Sequence, residues 1–593
     1  MTKQRRHFHS AVPLAISFIL VFLSACGSDQ QSIMPTASPI IPAVQLDLPR
    51  ITSIEADKVE VPNYEIIEFT LGVDAKFSNP YDVREISING VFTSPDGKQW
   101  NVPAFWDGEG AWKLRVTPSQ VGIWMYSISP TDPNGTGEAS SGEFSATPSD
   151  HHGWIIPGNS FDPDYSPHYL VYHDGTPFYG VGFDEALNIL VDGFDAEDGV
   201  GLFDNMKEAG ANYVVWWPMY AMSIVNSNYD NYAVGNMKLI DTIIKDAEKE
   251  GIILVFTVWD HPNLRDETHA WSDGKWKNNG FSKLGDIDSF FVSDEAWAWQ
   301  ENLYRYMIAR WGYSTSIGMW QTVSEINGTN AYSQTDPWHE KVNNYFVEND
   351  PYRHPTTASG SGEVDWATGH SIMDVPQLHL YDFDHGASGN SENNDVVGAA
   401  DHTAQWTRIM LKNADKPNWI GEFGVPGNTY YPELYHNSIW AALVAGASMT
   451  PAEWNSGGAW GRMTPEMYAD LNRLSTFVDN LPLAKWNPSA LQVTVNDEQI
   501  RGWGIAGRGG GLVWIQDYSL EGASIDVVRS SMPTRSGIDV VLEGLREGIY
   551  EVTPYDTWQG VYLDSYEVEC KNPSCLINMP EFKSDVAFRL IAR

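Results

Sequence analysis

Between about residues 148 and 484, short and almost wholly apolar runs alternate with amphipathic stretches of helical period. Pro177–Phe183, Ala211–Trp217, Ile252–Val258, Ile317–Val323, Val375–Tyr381, Asn418–Gly421 and Ser448–Trp454 read as strands covered on both faces. Thr356–Ser359 is a weaker candidate for the fifth strand of that series. One intervening helix is predicted over Met237–Glu250, with Leu239, Ile243 and Ala247 on one face and Gly251 as its stop. Another starts at Ser293, carries Asp294 and Glu295 in its first turn, and runs to Arg310. Eight parallel strands with helices between them over roughly 250–320 residues predict an α/β fold, a (β/α)8 TIM barrel. A doubly wound open sheet is the runner-up, but no glycine-rich phosphate loop follows an early strand.

The flanks have a different texture. Residues 51–147 carry short β-prone runs such as Glu65–Leu71, Ile86–Phe92 and Trp112–Val116, punctuated by Asn-Gly and Asp-Gly turns. That pattern predicts a small β-sandwich. Residues 485–593 return to it, with strands at Gly509–Ile515 and Gly548–Thr553, and predict a second β-sandwich. Residues 27–50, rich in Pro, Ser, Ala and Gln, read as a tether.

The length of 593 residues agrees with roughly two to four domains. Aromatic residues are abundant, with 25 Trp, 27 Tyr and 23 Phe, and sugar rings stack on such faces. A net charge of -40 disfavours binding to nucleic acid. Residues 1–26 combine Lys3, Arg5 and Arg6 with an apolar stretch too short for a bilayer span, as in a signal peptide. The following Leu23-Ser-Ala-Cys26 resembles the bacterial lipoprotein lipobox. That resemblance implies lipidation of Cys26 and a membrane anchor, and Gly27, not being Asp, implies the outer membrane. In an oxidising compartment Cys570 and Cys575 are expected to form a small disulfide loop. A monomer is expected.

Candidate chemistry sits where strands end. Strand four leads into Trp320-Gln-Thr-Val-Ser-Glu325, strand six ends His379-Leu-Tyr381, and strand seven reads Lys416-Pro-Asn-Trp-Ile-Gly-Glu422-Phe-Gly424. Glu325 and Glu422 are 97 residues apart, which is three βα units of about 32 residues. Two carboxylates facing one another at about 5–5.5 Å perform retaining glycoside hydrolysis, one attacking the anomeric carbon and the other protonating the leaving oxygen. The acid must keep its proton until it is used, and the neighbouring negative charge is expected to help.

On these motifs the chain resembles the clan A glycoside hydrolases, which include the family 5 cellulases and mannanases. The resemblance covers about half the chain. It implies that Glu325 is the acid/base and Glu422 the nucleophile, that Tyr381 of a His-x-Tyr pair with His379 bonds the nucleophile, and that Trp454 on strand eight lies under the sugar. Two positions depart from the pattern. Ser324 stands where the clan has an Asn that binds the sugar 2-hydroxyl, and a hydroxyl has shorter reach and one donor. Val215 stands where many relatives have an Arg near the nucleophile, so Tyr381 or another donor must hold that charge. The stretch Phe105–Trp112, with Pro118, Gly122, Trp124 and Tyr126, resembles an uncharacterised immunoglobulin-like domain that precedes cellulase-like barrels. Packing is its expected role ahead of sugar binding.

His261 and Trp217 are further candidates for substrate contact, while Trp216, Trp259, Trp271 and Trp276 fit either a cleft wall or packing. Asp184 and Glu185 end strand one, where a substrate hydroxyl and an ion pair are equal readings. Asp260–Phe290 is expected to be a cleft-walling insertion whose removal spares folding. The expected function is a retaining hydrolase of a β-linked glycan, with mannan, glucan and galactan all open. It needs no metal and no organic cofactor. The alternative is a surface glycan-binding lipoprotein without catalysis.

Overall fold

The computed structural model describes residues 47–186, 201–269, 273–363, 366–381, 395–424, 431–454, 463–571 and 573–593. Cys26, the tether up to residue 46, and Trp271 lie outside them.

A parallel five-stranded sheet organises the middle of the chain. Its strands, in spatial and chain order, are β1 (Gly182–Asp184), β2 (Tyr213–Trp216), β3 (Ile253–Thr257), β4 (Ile317–Gln321) and β5 (Thr356–Thr357). Two further strands, β6 (Gln377–Leu380) and β7 (Trp419–Phe423), pair in parallel with each other. Every residue of these seven strands is buried, the condition under which a strand can be apolar on both faces. The segment Ser448–Trp454, expected as an eighth strand, makes only isolated parallel bridges, Gly180 to Met449, Asp184 to Trp454 and Phe423 to Glu453. Pro451 at its centre has no N–H to give to a ladder.

Helices cover this layer. Val234–Glu250 ends at Gly251, whose left-handed φ of 72° is the conformation glycine adopts at least cost. Its buried stripe is Met237, Ile240, Ile243, Ile244 and Ala247, whereas Leu239, predicted on the inner face, is 47% exposed. Leu239 is one residue, about 100° of helical turn, away from Ile240. In the helix Asp294–Trp311, the Ser293 hydroxyl accepts from the Ala296 N–H at 3.4 Å.

Before this region, residues 50–147 form a four-stranded and a six-stranded sheet that share one core. Phe69 and Leu114 enter it from the first sheet, Phe92, Trp124 and Phe144 from the second. The turn between Trp106 and Trp112 is tied by Asp107, whose Oδ1 accepts from the N–H groups of Glu109, Gly110 and Ala111. The same segment packs on the central helices. Arg115 pairs with Asp241 at 3.2 Å and donates to the Arg310 carbonyl at 2.8 Å, and Tyr306 donates to the Trp106 carbonyl at 2.8 Å.

After residue 486 the chain returns to β-structure, dominated by a seven-stranded sheet, and a disulfide joins Cys570 to Cys575. His436 of the helix Pro432–Ala445 ties this part to the centre. It is wholly buried, 2.8 Å from Asp470 and 3.1 Å from Asp585, and stacks on Trp558 with ring centroids 3.8 Å apart. Trp514 and Trp558 both donate to Asp585.

No helix among the described residues is long and apolar enough to cross a membrane.

Candidate active site

The chain leaves β4 through Thr322 and reaches Glu325 in a left-handed conformation, φ 56° and ψ 57°. A side chain with a Cβ in that region costs about 1–3 kcal/mol, so neighbours must hold it there. Ser359 does so from just beyond β5. Its hydroxyl accepts from the Glu325 N–H at 3.0 Å and its carbonyl from the Ile326 N–H at 2.9 Å. The Ser324 N–H is anchored on the Trp259 carbonyl at 2.9 Å.

Glu422 lies within β7. The β6–β7 ladder slips between Leu378 and His379, which sets His379 opposite Glu422. His379 is fully buried, with Nδ1 2.8 Å from Glu325 Oε1 and 3.1 Å from Glu422 Oε2. One oxygen of each glutamate and that nitrogen lie within 4.8 Å of one another. Tyr381 donates to Glu422 Oε2 at 2.8 Å and Ser324 to Oε1 at 3.3 Å. Val215 is buried among apolar side chains, and these two hydroxyls and His379 attend the Glu422 carboxylate. His261 stands 3.4 Å from the other oxygen of Glu325.

The ionisation order differs from the sequence expectation. Burial raises the Glu325 pKa, but His261 and His379 outweigh it and hold the carboxyl down to about 2. Burial raises Glu422 as well, and despite His379 it stays above the usual carboxylate range because Glu325 adds to the rise. Burial lowers His379, yet Glu422 and Glu325 lift it to about 9, while burial pushes His261 down to about 4. The resting proton therefore sits on His379 rather than on Glu325. The reason is geometric: Glu325 has the shorter bond to His379 and a second imidazole, and Glu422 has acidic neighbours.

Glu325, His379 and Glu422 are also close enough to share an ion. A metal would need the Nδ1 lone pair and would break both bonds from that nitrogen to the carboxylates. The donors fit a hydrogen-bonded triad better.

Trp454 is half-buried and Trp217 fully buried, with ring centroids 5.2 Å apart, and Trp217 meets His261 edge-on at 5.7 Å. These rings, the two histidines, Ser324, Tyr381 and both glutamates form one connected group. Trp216, Trp259 and Trp276 belong to the apolar core.

The segment Asp260–Phe290 is no detachable wall. His261, Leu264 and Arg265 are buried, and Trp276, Phe281 and Phe290 pack with Trp259 and Trp338 in the main core. Its removal would take three packed aromatic side chains out of that core. Two residues escaped sequence reasoning. Ser359 is a local hydroxyl with a distant partner. Glu453 is fully buried next to Trp454, and a charged residue interrupting the apolar run before a site tryptophan was the available signal.

Comparison with known proteins bears chiefly on the fold. Residues 60–131 match the model of a family described as a domain of unknown function, DUF5060. No curated protein matches the sequence. A solved structure from Bacteroides vulgatus, assigned as a glycoside hydrolase, is similar with a TM-score of 0.62 and 16% identity, over 90% of this chain and 100% of that one. At that identity the likeness is one of fold: a mixed α/β architecture shared across nearly the whole chain. An endo-β-1,4-mannanase from Thermotoga petrophila (TM-score 0.39, 14% identity, 67% of this chain and 98% of that one) is more distant. So is a family 39 glycoside hydrolase from Bacteroides cellulosilyticus (TM-score 0.41, 11% identity, 91% and 100%).

Proposed function

We propose that this chain is a retaining glycoside hydrolase of β-linked poly- or oligosaccharides, with Glu422 as nucleophile and Glu325 as acid/base on a closed (β/α)8 barrel of the clan A kind. The observation that carries the reading is the pair itself. Two buried glutamates, one just past β4 and one within β7, are bridged by one imidazole, with oxygens within 4.8 Å. Inverting enzymes need about 6.5–9.5 Å between carboxyl groups to admit a water, which this spacing does not leave. Closure of the barrel is supported by the bridges of residues 449–454 to both β1 and the end of β7. It is supported further by the Asp374 and Val375 N–H groups donating to the Thr356 carbonyl between β5 and β6.

The reaction starts with Glu422 attacking the anomeric carbon as the bond to the leaving oxygen breaks. The proton that oxygen needs passes from His379 Nδ1 to Glu325 and on to the leaving group. Glu422 is then an ester, and its loss of charge lowers the affinity of His379 for a proton. Water attacks the same carbon, its proton returns through Glu325 to His379, and Glu422 leaves as carboxylate. Two displacements retain the configuration. Neither a metal nor an organic cofactor enters this reading.

The β-regions before and after the barrel are read as β-sandwiches, the first immunoglobulin-like and packed on the barrel. The mature protein is read as a monomer anchored through lipidated Cys26, in the outer membrane. The test is a hydrolysis screen of residues 27–593 on a panel of β-glycans beside Glu422→Gln and Glu325→Gln. Sugar release that falls by several orders of magnitude in Glu422→Gln supports the enzyme.

One observation favours a second reading, a glycan-binding lipoprotein without catalysis: Glu325 carries no proton of its own at rest. No release from any glycan, with equal binding by all three proteins, would select it.

A further inference from the structure

Asp184 ends β1 in the corner that also holds Glu422. Its side chain is wholly buried. Oδ1 accepts from the Ala186 N–H at 2.8 Å, and Oδ2 has no hydrogen-bond partner among the described residues. Its backbone bridges to Trp454, and its N–H donates to the Glu453 carbonyl at 2.8 Å. The ion pair that was one of its two sequence readings is not formed among the described residues. The charged groups that act on it most strongly are themselves acidic, Glu422, then Glu185 and Glu453. Burial first, and those carboxylates next, push its carboxyl well above the ordinary range. An acid in that state carries a donor at Oδ2. A buried donor without a partner is costly, and such groups in native proteins generally have an acceptor waiting.

We propose that Asp184 hydrogen-bonds a hydroxyl of the sugar ring attacked at Glu422, and that the corner formed by Asp184, Glu185, Glu422 and Glu453 admits uncharged sugars and refuses uronic acids. The inference rests on the glycosidase reading and names its substrate class. A sugar ring brought to Glu422 presents several hydroxyls to its surroundings, and Asp184 is a neighbour with a group left to satisfy among the described residues. A uronate would add a negative charge beside the carboxyl groups of Glu185, Glu422 and Glu453, and the imidazole of His379 is already engaged between Glu325 and Glu422. Like charges brought together out of water disfavour one another strongly.

The experiment compares nitrophenyl β-glycosides of neutral sugars with the matching uronides, using the protein and its Asp184→Asn and Asp184→Ala variants. Neutral glycosides should be cleaved and uronides at least ~100-fold more slowly. Asp184→Ala should lose ~100-fold in kcat/KM, and Asp184→Asn, which keeps a neutral donor, should stay within ~10-fold of the parent. A deoxy sugar lacking the partner hydroxyl should be a poor substrate for the parent and no worse than its hydroxylated form for Asp184→Ala. Uronides cleaved as fast as neutral glycosides, or an Asp184→Ala variant with parental kinetics, would overturn the proposal. If no glycoside is cleaved, calorimetry with neutral sugars separates the two readings. Binding by the parent that is lost in Asp184→Ala keeps the subsite and discards hydrolysis. Absence of binding discards both.

Discussion

His379 stands opposite Glu422 only because the β6–β7 ladder slips by a residue just before it. With unbroken register the imidazole would meet a different partner, and the nitrogen shared by both glutamates would be lost. A bulge beside an active site re-aims one side chain in this way. His379→Gln should therefore lower kcat by ~10²–10³-fold, in the range of a lost proton-transfer group. It should also change the pH profile. The His379 pKa is lifted to about 9, so the parent loses rate as pH rises through that region and the proton leaves. The variant should lack this alkaline limb. A limb unchanged in His379→Gln would show that another group carries the proton.

Glu325 adopts left-handed backbone at the cost of its Cβ. Glu325→Gly and Glu325→Ala both remove the carboxylate and its bonds to the histidines, and only alanine keeps the backbone penalty. Glycine should be the more stable of the two by about 1–2 kcal/mol, although both should be inactive. Urea unfolding of the pair measures the difference. Equal midpoints would mean that the turn relaxes to ordinary backbone once the carboxylate is gone.

His436 links stability to pH. Burial lowers its pKa, but Asp470 and Asp585 lift it to about 9, against roughly 6.5 in an unfolded chain. A raised pKa means that the folded state holds the proton longer, so the stabilisation is complete below about pH 6.5 and is lost as pH rises through about 9. The size is about 3 kcal/mol. Denaturant midpoints should fall between pH 6.5 and 9 in the parent, and the fall should vanish in His436→Gln. That variant should itself be about 3–5 kcal/mol less stable, because Asp585 stays buried without its cation. Parallel curves for the two proteins would remove His436 as the cause.

The parts of this molecule that repeat a local pattern were legible in the chain. Ile253–Thr257 and Ile317–Gln321 announce themselves as buried strands, Gly251 ends its helix, and Glu325 and Glu422 sit in recognisable strand ends. What escaped depends on distant partners. Leu239 shares a spacing of four with Ile243 and Ala247, which are buried, but the stripe continues through Ile240 and leaves Leu239 outside it. The segment Asp260–Phe290 reads as a cleft wall and Trp276 as either wall or packing, because aromatic density in an irregular segment does not distinguish a ligand surface from a core. The ionisation order could not be read at all. It follows from a one-residue slip between Leu378 and His379 and from the burial of Glu422 beside Glu325, 97 positions away in the chain.

Glu422 must be ionised to attack, yet its pKa lies above the ordinary range, raised by burial and by Glu325. Activity should therefore fall as pH drops through that raised value. Tyr381 and Ser324 oppose the rise by donating to the carboxylate, at 2.8 Å and 3.3 Å. Removing either donor destabilises the ionised form and should move the acid limb of kcat/KM to higher pH. Tyr381→Phe should shift it more than Ser324→Ala, since the shorter bond is the stronger. Each variant should keep most of its rate on the alkaline side of the limb, where Glu422 is ionised in either case. Profiles of kcat/KM between pH 4 and 8 decide the matter. An acid limb that stays in place in Tyr381→Phe would mean that it belongs to a group other than Glu422, and the nucleophile would have to be sought again among the acids of the same corner.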